Sequence, residues 1–260
     1  MKTLFDLTGK VAWVAGGGGY LGLPTCLELA RHGATVIVTD GRKEAAEAAV
    51  QRLREDGLEA EARELSMDDE AGIKATVDGI VARHGALDIA VNMTYSSSGK
   101  PMMDMTLTDW QEGTKAGVGG AFLLAREAAR AMLPRGRGSI IQFSSMYGLV
   151  SPDPRMYGNQ PVNPIDYGVG KAALLQMVRY HAVTWAPRGV RVNAIAPGPF
   201  PNPAGMGGDA GFVERLSQRV PLGRPGRAEE IPGAVVYLAS DAASFVTGTC
   251  LVIDDGWTAW

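Results

Sequence analysis

The chain has 260 residues, 46% of them hydrophobic and 20% charged, a make-up that suits a globular fold and excludes a disordered one. Its 25 Lys and Arg against 28 Asp and Glu give a net charge of −3, and without a basic stripe nucleic acid is an unexpected partner. No apolar run is long enough to cross a bilayer. Asp6 stands where a leader peptide in Met1–Asp6 would need an apolar stretch, and Cys26 and Cys250 neither frame disulfides nor sit at zinc spacing. A cytoplasmic protein without metal is expected.

Lys10–Ala15 reads as a strand and Leu21–His32 as a helix. Strands at Ala34–Asp40 and Leu58–Leu65 flank a helix at Lys43–Asp56. A helix over Asp69–His84 leads to a strand at Leu87–Met93, and a long helix over Asp109–Pro134 leads to a strand at Ser139–Phe143. Helix Tyr167–Pro187, strand Val190–Ala196, helix Ala228–Ser240 and strand Thr249–Asp254 complete the order. The strands are short, Val- and Ile-rich and mostly not alternating, as strands covered on both faces should be. Gly33 and Gly57 follow two helices where a left-handed residue is expected. Such alternation builds an α/β fold, a doubly wound, seven-stranded parallel sheet with helices on both faces. No repeat or linker breaks it, so residues 1–260 are read as one domain. Two irregular segments, Ser151–Asp166 and Pro197–Gly211, follow strands at the edge where such sheets take ligands, and they have the length of lids or pocket walls.

The first strand runs into Gly16-Gly17-Gly18-Gly19-Tyr20-Leu21-Gly22 and then straight into a helix. Glycines there permit a tight turn and let a pyrophosphate approach free N–H groups at the helix start; a flexible surface loop is the plainer reading. Asp40, about twenty residues on at the end of the second strand, can accept both ribose hydroxyls of NAD and would repel the 2′-phosphate of NADP. Arg42 partly offsets that repulsion, and the plainer reading of Asp40 is a turn residue in Asp40-Gly41. NAD is expected ahead of NADP.

Tyr167 and Lys171 stand at i and i+4, on one face of their helix. A phenol near its ordinary pKa of ~10 is a poor base at neutral pH, and a nearby cation favours the phenolate. Ser144 and Ser145 end the fifth strand, where a hydroxyl can donate to a substrate oxygen while the tyrosine exchanges its proton.

Taken together, the early glycine turn, Ser145, Tyr167-x-x-x-Lys171, Asn193-Ala194-Ile195-Ala196-Pro197-Gly198 and the close at Asp254-Asp255-Gly256-Trp257 resemble the short-chain dehydrogenase/reductase family over the whole chain. The resemblance implies a single Rossmann-type domain with a nicotinamide cofactor. Tyr167 would be the acid/base, Lys171 would lower its pKa and hold the nicotinamide ribose, and Ser145 would orient the substrate. Pro197, Gly198 and Phe200, within Pro197–Asn202, would line the carboxamide. Family tetramers pair the helices matching Asp109–Pro134 and Tyr167–Pro187, which implies a homotetramer.

The sequence also departs from the family's pattern. Tyr20 stands where a glycine is usual, and Gly16, Gly19 and Gly22 match the spacing of the longer-chain branch, with Tyr20 and Leu21 still in the phosphate turn. Asn92-Met93-Thr94-Tyr95 replaces Asn-Asn-Ala-Gly, so Asn92 can stay beside the adenosine ribose while Tyr95 adds bulk. Ser66, with Met67 next to it, replaces an aspartate near the adenine. Gly117 stands where an asparagine normally holds a relay water, which leaves a weakened relay, a rebuilt one or different chemistry. The Ser145–Tyr167 segment is long and carries Met146, Tyr147, Tyr157, Asn159 and Gln160; with Tyr95, Asn202 and Met206 it would wall a substrate pocket. This loop and the Trp257-Thr258-Ala259-Trp260 ending resemble gluconate dehydrogenases and other sugar and sugar-acid oxidoreductases. Trp260 would be a buried end or a seal on a neighbouring subunit. His32, His84 and His181 fall in or at the ends of helices, where capping explains them. The expected reaction interconverts a secondary alcohol and a ketone on a small polyhydroxylated substrate. Net non-redox chemistry beside bound NAD, or a dinucleotide sensor, are the alternatives.

Overall fold

Val11–Ala15 carries no charged side chain, so it is stable as a strand only with both faces covered. In the computed structural model, which describes residues 3–260, all five of its residues are buried. Met1 and Lys2, the head of the segment read above against a leader peptide, lie outside the described residues. In chain order the strands are β1 (Val11–Ala15), β2 (Thr35–Asp40), β3 (Ala60–Glu64), β4 (Ile89–Asn92), β5 (Gly138–Phe143), β6 (Val190–Pro197) and β7 (Cys250–Ile253). The helices are α1 (Gly22–Arg31), α2 (Lys43–Glu55), α3 (Glu70–His84), α4 (Leu107–Thr114), α5 (Gly120–Met132), α6 (Ile165–Trp185), α7 (Ala210–Arg219) and α8 (Pro232–Ala239).

The strands form one parallel sheet in the order β3-β2-β1-β4-β5-β6-β7. The order reverses between β1 and β4, which opens a crevice at their carboxyl ends. Ala12 and Val14 pack on one layer with Leu29 of α1 and Val235 of α8. Trp13 and Ala15 face the other, with Leu124 of α5 and Leu175 of α6. The doubly wound, seven-stranded sheet is the expected fold. No helix among the described residues is long and apolar enough to cross a membrane.

Five elements differ from expectation. β3 and β7 are the two edges, so Glu61, Ala62, Arg63 and Glu64 are not buried and neither is β7. The expected helix Ala228–Ser240 is split, because Pro232 starts α8 after a short 3₁₀ turn. α7 lies where only irregular chain was expected; Asp209 caps it by accepting from Gly211 and Phe212 N–H at 2.9 and 3.2 Å. The long helix Asp109–Pro134 is instead α4, a π-helical turn over Lys115–Gly119, and α5. The cause of that turn is Ser96. Its hydroxyl donates to Gly113 O and accepts from Gly117 N–H at 2.7 Å, so it is inserted into what would be one i→i−4 bond of a continuous helix.

Candidate active site

Ala15 pairs with Asn92, so the chain leaving β1 turns beside the chain leaving β4. Gly16 makes that turn at φ +79°, and a Cβ there would press on Met93 and Thr94 at 3.1–3.2 Å. A Cβ at Gly22 would collide with Gly16 O, so α1 can begin this close to the loop only with glycine. Gly19 N–H closes the turn onto Gly16 O at 3.1 Å. The N–H groups of Gly18, Tyr20 and Leu21 find no acceptor among the described residues and stand at the positive end of α1. Three unclaimed donors there fit a dinucleotide's diphosphate.

Asp40 ends β2 with its carboxylate accepting from Arg42 N–H at 3.1 Å and lying 3.7 Å from Arg42 Nε. Ser66 is exposed past β3 and donates to Asp68, whereas Met67 is buried against Gly120 of α5. Asn92 is fully buried: its amide donates to Gln142 at 2.8 Å, and its oxygen accepts from Thr94 N–H and Oγ1 at 3.1 and 2.6 Å. Any contact of Asn92 with a cofactor therefore falls to its backbone. Pro197 is buried at the end of β6, Gly198 N–H is fixed to Ile253 O at 2.8 Å, and the Phe200 ring lies against Gly226. Phe200 thus shapes this loop from its protein side.

Tyr167 and Lys171 sit one turn apart at the start of α6, with Nζ 5.7 Å from the tyrosine ring centre. Lys171 is buried and donates to Phe143 O at 2.7 Å and Thr94 O at 3.1 Å, stitching the ends of β5 and β4 to the helix. Ser144 donates to Lys171 O at 2.7 Å and so belongs to that framework. Ser145 accepts from Tyr147 N–H at 3.1 Å and neighbours the Tyr167 phenol. Burial pushes that phenol above its ordinary value, and the Ser145 hydroxyl pulls the other way. The implied depression by Lys171 is therefore not found in the chain by itself. Burial dominates both groups and draws the Lys171 ammonium down to about 7.

That ammonium makes stability depend on pH. Between about 7 and the ordinary lysine value of 10.5, the unfolded chain holds a proton that the folded chain has released, so this group's contribution to stability rises with pH across that window. Urea midpoints from pH 7 to 10 should rise more steeply for the wild type than for Lys171→Met; parallel curves would refute the shift.

A family model described as enoyl-(acyl carrier protein) reductase matches residues 21–258. The chain belongs to the short-chain dehydrogenase/reductase family. It is 34% identical over 251 residues to cis-4-hydroxycyclohexanecarboxylate dehydrogenase of Sinomonas cyclohexanicum, covering 96% of this chain and 97% of that one. A gluconate 5-dehydrogenase from Burkholderia cenocepacia J2315, solved with NADP and tartrate, superposes with a TM-score of 0.88 at 31% identity, over 98% of each chain. An NAD+-bound xylitol dehydrogenase gives 0.85 at 31% identity, over 96% of this chain and 99% of that one. The chain is thus an oxidoreductase of a family whose members bind NAD or NADP.

At Gly117, where the family resemblance implies an asparagine, the structure leaves little room for a side chain. A Cβ at residue 117 would stand 2.9 Å from Ser96 Oγ, so the serine hydroxyl takes the space an asparagine side chain would need. Beside it, a cavity of about 10 Å³ is lined by Ser96, Gly117, Tyr167 and Lys171 among others, about the least that holds one water.

Of the expected pocket residues, Tyr95 and Tyr147 are brought near Tyr167. Tyr95 is 71% exposed and meets the Tyr167 ring edge-on, with centres 6.0 Å apart at 79°. Tyr157 donates its hydroxyl to that of Tyr147 at 2.8 Å, and burial pushes both phenols up. Met146 is not a pocket wall, since it packs with Tyr157, Phe212, Leu216 and Trp257 in a small core beneath α7. Asn202 is spent on its own loop, accepting from Ala204 N–H at 3.0 Å, while Met206 is exposed. α7 is fastened at both flanks: Arg215 donates to Met156 O at 2.7 Å, and the Arg219 guanidinium lies 5.1 and 5.3 Å from the rings of Trp257 and Trp260. Trp260 is 72% exposed and so is not a buried end. Of the histidines, His32 and His84 end helices, but His181 stacks on Trp185 at 4.2 Å inside α6, where burial lowers its pKa.

Sequence reasoning missed α7, Ser96 and Asp166, the buried carboxylate just before Tyr167. The run Tyr95-Ser96-Ser97-Ser98 and an acid beside Tyr167 were the only available signals.

Proposed function

We propose that this enzyme interconverts a secondary alcohol and a ketone on a small polyhydroxylated substrate, a sugar, sugar acid or polyol, using NAD. The observation that carries the reading is the half-buried Tyr167 beside Ser145, with the Lys171 ammonium one turn on and 5.7 Å from its ring. In the oxidative direction Tyr167 takes the hydroxyl proton and in the reductive direction returns it, while Ser145 holds the same oxygen by hydrogen bonding. Lys171 fixes α6 to the ends of β4 and β5 and offers its remaining proton towards the cofactor ribose. The dinucleotide, when bound, supplies or accepts the hydride. The N–H groups of Gly18, Tyr20 and Leu21 would hold its diphosphate, with Gly16, Gly19 and Gly22 admitting it and Pro197 and Gly198 beside the carboxamide. One domain, residues 1–260, carries both sites.

Asp40 supports NAD over NADP, because its carboxylate lies where the ribose hydroxyls would bind and Arg42 is already engaged with it. Asp40→Ala should raise NADP turnover relative to NAD about tenfold, since removing one like-charge contact near 4 Å is worth roughly 1–4 kcal/mol; an unchanged ratio would place cofactor choice elsewhere. A homotetramer is supported by exposed Phe122 on α5 and Ile165, Val169, Tyr180 and Val183 on α6, next to an apolar groove of about 670 Å³ that includes Tyr147 but not Tyr167. Free Cys26 and Cys250 suit a reducing, cytoplasmic setting.

The deciding experiment follows nicotinamide absorbance over sugars, sugar acids, polyols and simple ketones, with NAD and NADP in parallel. Turnover on a sugar-type alcohol is expected. Tight dinucleotide binding with no redox change on any substrate would overturn the reading.

A further inference from the structure

Residues 95–98 follow β4 without regular structure, yet each serine among them is tied down. Ser96 is inserted between Gly113 and Gly117, as described above. Ser97 Oγ donates to Asp166 Oδ1 at 2.9 Å, and Ser98 N–H donates to Asp166 Oδ2. Asp166 is 1% exposed and also accepts from Tyr167 N–H at 2.9 Å. A buried carboxylate is tolerated only where its oxygens are satisfied, and here the donors come from this strap and from the catalytic residue itself. The strap, α4 and the start of α6 are therefore one rigid assembly. Its product is the placement of Tyr95, a ring held edge-on to Tyr167 but still largely open to solvent.

We propose that Asp166 is a positioning residue, which through Ser97 and Ser98 fixes Tyr95 as a flat wall beside the phenol, and that this wall selects six-membered-ring secondary alcohols over open-chain polyols. A ring alcohol presents a flat apolar face of C–H groups that can lie on the tyrosine. An open-chain polyol has no such face and gives up more conformational freedom on binding. The inference rests on the dehydrogenase reading above and narrows its substrate class.

The test measures kcat and KM for cyclohexanol and myo-inositol against xylitol and gluconate, in the wild type and in Tyr95→Ala, Tyr95→Phe and Asp166→Asn. Calorimetric binding of the same compounds to dinucleotide-loaded protein reads the preference without turnover. The wild type should favour the ring compounds. Tyr95→Ala should erase about threefold to tenfold of that preference, the range of one aromatic packing contact, through KM rather than kcat. Tyr95→Phe should keep the preference, because the ring and not the hydroxyl forms the wall. Asp166→Asn should lose it with Tyr95 still present, because whichever way the amide turns, its NH2 faces the backbone N–H of Ser98 or of Tyr167, which can only donate. Equal handling of ring and open-chain compounds overturns the inference. So does a Tyr95→Ala variant that changes both classes alike or alters dinucleotide affinity. If nothing turns over, the dehydrogenase reading fails instead, and calorimetry still decides whether the ring preference exists.

Discussion

Tyr167→Phe should lower turnover by about 10²- to 10⁴-fold, the range lost with a general acid–base group, while dinucleotide affinity stays close to that of the wild type. The substitution removes one hydroxyl and leaves the ring, its edge contact with Tyr95 and the two carbonyl bonds of Lys171 in place. The fold should therefore survive, and the loss should fall on kcat. Steady-state absorbance assays read the first quantity and fluorescence titration with NAD the second. Full activity in the variant would remove Tyr167 from the mechanism and the dehydrogenase assignment with it. A loss of NAD binding in step with activity would make the phenol a binding group.

Gly117→Asn should destabilise the protein by about 1–3 kcal/mol, the usual cost of overpacking, although it introduces the residue that the family resemblance implies. Its Cβ would stand 2.9 Å from Ser96 Oγ and 3.3 Å from Ser96 N, so the side chain can enter only by expelling the strap. Ser96→Ala alone should also be costly, because Gly117 N–H and Gly113 O would lose their partner, at roughly 1–3 kcal/mol for a buried polar group. Combining Gly117→Asn with Ser96→Ala should recover part of the loss, since the two sites share one space. Urea unfolding of the four proteins checks this. Strict additivity of the two substitutions would show that Ser96 and Gly117 do not compete for space, and the serine would no longer account for the missing asparagine.

The seven strands and their order of appearance were legible because each β-rich run is short and flanked by turn residues, and because a doubly wound sheet admits few connections. The juxtaposition of Tyr167 and Lys171 was legible through spacing, since one helical turn brings phenol and ammonium to the same face, whereas Ser145 was read from its strand end and the family resemblance. α7 was not. Its apolar side rests on Phe212, Leu216 and a few neighbours, and it begins just after a run in which Pro and Gly dominate. The break between α4 and α5 was invisible for a different reason. It is made by a hydroxyl seventeen residues before Gly113 and twenty-one before Gly117, and a local reading of helical periodicity has no access to such a partner. Asp166 was overlooked because an acid in the first turn of a helix is ordinary; only its burial and its bonds to Ser97 and Ser98 distinguish it. The phenol's electrostatics also ran opposite to expectation, because the spacing of Tyr167 and Lys171 says nothing of how deeply both are buried.

The grip of Trp257 and Trp260 on Arg219 bears on timing. Arg219 is the last residue of α7, whereas the first turn follows a glycine-rich stretch, Gly205 to Gly208, held mainly by its own backbone bonds. α7 is thus held at Asp209, Arg215 and Arg219, while the glycine stretch before it is left to its own backbone turns. Should departure rather than hydride chemistry limit the cycle, stiffening that glycine stretch will slow the enzyme without touching any group that handles the proton.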